Sequence, residues 1–324
     1  MRRRVLILVA LGLVLAGVVV LRLMVGTDGL GFASSRIVAE LRWLRVLAGV
    51  AVGVSLAVSG VMLQSLLRNP LASPDLLGLS AGAGLAVMLS AYIGYKATGS
   101  ISPAMADPLP ALLGSCLALL FVYSLSQRRG FIEPVTLILV GVVVGLVCGS
   151  AGSFIRQLLP DGGFAAGRLL LGRISDDLTW PMVVGVLAVS VLGAGVGAWL
   201  GPAMDASAMS DDEARSVGVP IRGLRLSLFL ISGVLAAGSV VLAGPIGFVG
   251  LVVPHAARLM LGPSHRVLMI GAALLGAVVI VLADSAVRAM PMGTGRLPIG
   301  VLTSLIGGPV FLAMLYSMVR RPGI

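Results

Sequence analysis

The feature that most constrains this chain is a succession of long apolar stretches, separated by short segments that hold nearly all of its charge. Reading between charges and Pro/Gly breaks places them at about 5–25, 45–67, 76–95, 109–126, 135–156, 181–200, 226–243, 246–261, 267–287 and 298–318. Crossing roughly 30 Å of hydrocarbon takes about 20 helical residues. Backbone groups left unpaired in lipid are costly, so each stretch is expected as a helix. The eighth is the shortest and starts directly after Gly244-Pro245. Composition agrees, with 58% hydrophobic and 11% charged residues, where a soluble domain carries about a quarter charged. The expectation is an all-α polytopic membrane protein: one domain over 1–324, about ten transmembrane helices, tightly bundled.

Met1-Arg2-Arg3-Arg4 precedes an apolar run longer than a signal-peptide core, so it reads as an uncleaved first span. An even number of spans puts both ends on one side. Arg2 to Arg4, with Arg320-Arg321, assign that side to the cytoplasm. Glycines four apart, Gly49/Gly53, Gly78/Gly82, Gly141/Gly145/Gly149 and Gly193/Gly197/Gly201, form small-residue ridges suited to close helix contact. Ser59–Ala91 and Ala243–Val279 share one pattern: a span, a Pro-containing turn with a charge, and a Gly/Ala-rich span. They lie five spans apart, and an odd offset makes any such repeat inverted.

Several chemistries are excluded. Lys96 is the sole lysine and lies in Tyr95-Lys96-Ala97, so no phosphate-binding Gly-Lys-Ser/Thr loop exists. ATP and its magnesium must therefore sit on another subunit, and no cofactor is expected on this chain. Cys116 and Cys148 lie in apolar runs, and no Cys/His cluster has metal-ligand spacing. The net charge of +10 is almost wholly arginine, scattered over loops. That suits anionic head groups and acidic protein partners rather than nucleic acid. His255 and His265 have no companion ligand, and Asp284 with Arg288 reads as an intrahelical pair near the outer interface. No nucleophile–base or paired-carboxylate set appears, so no catalytic site is expected.

Two loops stand out. After the sixth span, about 205–220, Ser210 with Glu213 three residues later fits a capping box. Asp211 and Asp212 occupy the positive first turn, Gly218 can take the left-handed position past the end, and Pro220 forbids continuation. This is one short capped helix outside the membrane, read here as a lever for a partner. After the second span comes Leu67-Arg68-Asn69-Pro70-Leu71-Ala72-Ser73-Pro74-Asp75, which enters the membrane again with Gly78, Ser80, Gly82 and Gly84. Those small residues could line a pore.

Arg68-Asn69-Pro70-Leu71-Ala72-x-Pro74-x-Leu76-Leu77-Gly78-Leu79-Ser80-x-Gly82-Ala83-Gly84 resembles the signature of the FecCD family, the permease subunits of type II ABC importers for iron–siderophores, haem and vitamin B12. Gly244-Pro245-Ile246-Gly247-Phe248-Val249-Gly250 through His255, Leu297-Pro298-Ile299-Gly300-Val301 and Gly307-Gly308-Pro309 agree with it in order. The resemblance implies a permease in the cytoplasmic membrane of a bacterium, paired with a second copy or a homologue. It also implies two ATPase subunits and a periplasmic or lipid-anchored binding protein. Residue by residue, it assigns Ser210, Asp212, Glu213, Ala214, Arg215 and Gly218 to a helix that docks on the ATPase. Asn69, Pro70 and Leu71, with Glu133 and Pro134, match cytoplasmic gate turns. Arg42, Arg45 and Arg288 match positions that meet acidic residues of the binding protein, and Pro298 and Gly300 join the translocation path. Iron–siderophore is the expected cargo, with haem or cobalamin as alternatives. An ion-coupled secondary transporter would want mid-membrane carboxylates, of which Asp284 near one edge is the sole candidate.

Overall fold

The chain is seen in a computed structural model that describes residues 2–26, 31–33, 35–99, 108–128, 131–160, 172–174, 178–292 and 295–319. Helices occupy all ten expected places. They are α1 (Arg2–Met24), α2 (Arg36–Leu66), α3 (Leu79–Thr98), α4 (Pro108–Leu125), α5 (Pro134–Leu158) and α6 (Trp180–Ser207), then, after the short α7 (Asp211–Ser216), α8 (Ile221–Ala243), α9 (Val249–Leu261), α10 (His265–Ala289) and α11 (Ile299–Val319). Arg320 and Arg321, used to orient the chain, lie outside the described residues. Two-residue antiparallel hairpins join α4 to α5 and α10 to α11, at 127–132 and 291–296.

Among the described residues, six helices (α1, α2, α5, α6, α8 and α10) are long and apolar enough to cross a membrane by themselves. The eighth place holds only the 13 residues of α9, about 20 Å of helix. The irregular segment 244–248 leads into it from α8. Leu6, Leu13, Leu192 and Trp199 are each more than two-thirds exposed. That outward grease is what a lipid-facing surface requires, since soluble surfaces tolerate only small apolar patches.

The bundle is organised around α2, which packs against α6, α8, α9 and α10. Its long run from Ala51 to Leu63 is buried throughout. Close approach is set by backbone rather than by large side chains. A Cβ on Gly53 would lie 2.2 Å from the Gly276 carbonyl oxygen, and one on Gly276 would lie 2.3 Å from that of Gly53. Without a hydrophobic drive between helices in lipid, such backbone contact and dispersion hold the pair. Buried hydroxyls add to it: Ser55 and Ser190 meet at 2.7 Å, and Ser59 donates to the Ser232 carbonyl at 2.8 Å.

The two segments that share a sequence pattern each contain a left-handed break. A 3-10 turn at Pro74–Leu77 ends at Gly78 (φ +68°), which starts α3, and Phe248 (φ +68°) starts α9. They therefore sit at matching points, five spans apart, as an inverted repeat would place them.

Candidate functional site

At one end of the bundle, α7 folds as its sequence dictates. Ser210 Oγ accepts from the Glu213 amide at 3.1 Å and donates to Glu213 Oε2 at 2.6 Å. At the other end, Gly218 (φ +86°) donates to the Arg215 carbonyl and Val219 to that of Ala214, both at 2.9 Å. Those two bonds make a Schellman motif, so both ends of a helix of only six residues are hydrogen-bonded. Ala214 is fully buried and seats the helix, while Asp212 and Arg215 stand outward, paired at 3.5 Å. Met209 and Val217, each about 70% exposed, flank that charged face.

What anchors α7 is Asp211, which from sequence is only a negative charge in the helix's first turn. Its carboxylate takes Arg68 Nη2 at 2.5 Å and Arg225 Nη2 at 3.0 Å. Arg68 (φ +47°) directly precedes Asn69 and also donates to the Ser207 carbonyl at 2.9 Å. Arg225 reaches the Ile132 carbonyl at 3.4 Å, one residue before Glu133. One carboxylate thus ties the short helix to both turns that the family resemblance marks as gates. Charge-assisted bonds of this kind are stronger than neutral ones and fix orientation.

The turns themselves are braced locally. Asn69 Oδ1 accepts the Leu71 amide at 2.9 Å, the Asx turn expected of Asn before Pro. Pro70 and Leu71 are left exposed. Glu133 precedes Pro134, the first residue of α5, and accepts Thr136 Oγ1 at 2.7 Å. Nearby, Asp205 Oδ1 accepts the His265 amide at 2.9 Å and meets His265 Nδ1 at 2.6 Å, closing the start of α10. His265 is therefore a structural partner of Asp205. No group of three or more potential metal ligands occurs among the described residues.

The opposite end is arranged differently from the sequence expectation. Asp284 is engaged from outside its own helix: Oδ2 lies 2.5 Å from Arg22 Nε and Oδ1 3.1 Å from Arg45 Nη2. Arg45 is consequently turned inward, its side chain 11% exposed. Arg42 likewise donates to the carbonyls of Leu23 and Gly31. Arg288, half-buried, follows one turn after Asp284 on α10. The expected outward-reaching arginines thus include two whose guanidinium groups are already occupied. The physical reason is Arg22, fully buried in α1: it brings a second cation to a carboxylate that its own helix was expected to satisfy.

The small residues assigned to a path separate into two groups. Gly78 and Gly82 are consumed by packing, a Cβ on Gly82 meeting the Gly114 carbonyl oxygen at 2.7 Å. Gly300, after Pro298, donates to the Gly172 carbonyl at 2.9 Å, beside Pro245. Ser80 and Gly84 instead line a cavity of about 230 Å³ between α3 and α5.

Comparison with known proteins agrees with this architecture. The chain is 34% identical to the cobalamin import permease BtuC of Halobacterium salinarum, over 86% of its length and 73% of the relative. It is 35% identical to the hemin transport permease HmuU of Yersinia pestis, over 84% and 81%. It is equally close, at 35% identity, to the Fe(3+)-citrate import permease YfmD of Bacillus subtilis, over 87% and 82%. A solved structure, described as an inward-facing conformation of a metal-chelate type ABC transporter, superposes with a TM-score of 0.82 at 26% identity, covering 97% of this chain and 99% of that one. Residues 5–317 match the FecCD transport family, and the chain belongs to that family of ABC-importer permease subunits.

Proposed function

We propose that this permease carries a metal chelate, an iron–siderophore in the first instance, into the cytoplasm of a bacterium, worked by ATPase subunits that dock on α7. The observation that carries the reading is Asp211, which connects a doubly capped helix to both gate turns through Arg68 and Arg225. A lever needs stiffness and a firm linkage, and these residues supply both.

In this reading two copies, or this chain and a homologue, form the conduit, and two ATPases hold ATP and magnesium. The exposed Asp212, Glu213 and Arg215 face the ATPase groove. Both termini then lie in the cytoplasm, a reading that Arg2 to Arg4 support. A free or lipid-anchored binding protein docks at the other end, where acidic side chains compete with Asp284 for Arg45 and join Arg42 and Arg288. Competition of that kind gives orientation and reversibility more than raw affinity. ATP closure of the partners shifts the equilibrium between inward- and outward-open arrangements through its different affinity for the two.

The test is reconstitution with the partner ATPase and binding protein, followed by charge reversal of Glu213 and Arg215. ATP-driven uptake should collapse while the permease still elutes as a folded species. Uptake that survives both reversals, or that runs on a proton gradient after ATP is depleted, overturns the reading. Cobalamin or haem transport by the same assembly would move the cargo but leave the coupling argument intact.

A further inference from the structure

The cavity between α3 and α5 has an exposed arginine in its lining. It is lined by Ser80, Met88, Cys148, Ser153 and Arg156 and lies beneath the turn at Pro245. Arg156 sits in the last turn of α5 and, among the described residues, is the one charged side chain that lines the space. Among the described residues its side chain makes no hydrogen bond or ion pair. The contrast with the rest of the bundle is sharp. Arg22, Arg45, Arg68 and Arg225 each reach a carboxylate, and Arg42 reaches two carbonyls.

A guanidinium at the edge of a low-dielectric conduit is stabilised by an anion, and five donors in a planar fork suit carboxylate or catecholate oxygens. The Ser153 hydroxyl, about one turn before Arg156 on α5, can serve a remaining oxygen of a polar chelate. From these residues we infer that the cavity is an anion-accepting station on the cargo path. The permease then selects chelates that present carboxylate or other anionic oxygens, and Arg156 is the specificity-determining residue. This rests on the import function proposed above and narrows its cargo. A neutral corrinoid or a cationic chelate gains nothing from Arg156, whereas an anionic ferric chelate or a tetrapyrrole with carboxylate arms does.

Cys148 lies two helical turns before Arg156 in the same cavity, about 12 Å along the axis, and reports its potential. The experiment uses the full-length chain with Cys116→Ser, in vesicles of zwitterionic lipid, labelled by anionic and cationic methanethiosulfonate reagents. The anionic reagent should be favoured. Arg156→Gln should lower the anionic-to-cationic rate ratio roughly ten-fold, Arg156→Glu should invert it, and Arg156→Lys should restore most of it. Ferric citrate should slow labelling at Cys148, and a cationic hydroxamate–iron chelate at equal iron should not. A ratio indifferent to Arg156→Gln overturns the inference, as does protection by both chelates or by neither. If the ratio moves only when anionic lipid is added, Arg156 is a head-group anchor and the inference also fails. None of these readouts needs the ATPase, so they fail separately from the coupling reading.

Discussion

Arg22 Nε and Asp284 Oδ2 are 2.5 Å apart although 262 residues separate them, and their side chains are 1% and 3% exposed. The pair fastens α1, otherwise a peripheral helix, onto α10 at the end opposite α7. Arg22 Nη2 is left buried without a hydrogen-bond partner. The pair therefore holds position more than it maximises stability, because buried ions recover their desolvation only with full hydrogen bonding.

Removing one member should be far worse than removing both. Asp284→Leu strands Arg22 in the interior and should destabilise the bundle by about 3–5 kcal/mol. Arg22→Met with Asp284→Leu should regain most of that loss, since Arg45 can turn toward solvent. Thermal unfolding in detergent, followed by size-exclusion chromatography, reads the difference. A single variant as stable as the parent would show that the pair holds nothing.

The glycine ridges make a contrasting prediction. Gly53→Ala drives a methyl into the Gly276 backbone, which cannot step aside as a side chain can. The expected cost is about 1–3 kcal/mol, as for other overpacked interiors. Gly195→Ala in α6 meets nothing within 4 Å and should be neutral or slightly stabilising, because Ala is the better helix former. Equal melting temperatures for the two variants would refute the packing assignment.

The caps of α7 should set how often it opens. Ser210→Ala removes an N-cap worth about 1 kcal/mol. Gly218→Ala forces a side chain into a left-handed conformation at a cost of roughly 1–2 kcal/mol. Amide exchange over 211–219 should accelerate in both, by about five-fold or more, with exchange in α2 unchanged. Unaltered exchange would mean that α7 is held by Asp211 and Ala214 alone.

Much of the fold was legible because lipid imposes one rule on every span. Ten apolar stretches gave ten helices, and the capping residues Ser210 and Gly218 marked the two ends of α7. At 211–216 that helix is shorter than the expected 205–220, because α6 runs on to Ser207. The short eighth span was legible too, since Gly244-Pro245 interrupts its start. What stayed hidden was pairing between distant charges. Nothing local tells Asp284 to choose Arg22 and Arg45 over the neighbour one turn away, and nothing near Asp211 points to Arg68, 143 residues earlier. Gly82 looked like a pore residue because small residues serve both pores and helix contacts. Only its distance to Gly114 separates the two roles. Arg22 itself carried a signal that went unused: a lone arginine in an apolar span demands a buried acid.

Asp211 supplies the sharpest test of how motion travels from α7. Its two arginines lead to different turns, so neutralising it should loosen both without touching the exposed face of α7 proposed to meet the ATPase. Asp211→Asn leaves the Ser210 cap of α7 and the side chain's shape in place but weakens two charge-assisted bonds, each worth about 1.5–3 kcal/mol. In the reconstituted importer the ATPase should still bind and hydrolyse ATP at near-parental rates, while uptake per ATP falls roughly ten-fold or more. Arg225→Gln, which releases only the Ile132 side, should give an intermediate loss. If Asp211→Asn lowers hydrolysis and uptake in equal proportion, the carboxylate serves docking instead, and the two turns are moved by some other contact.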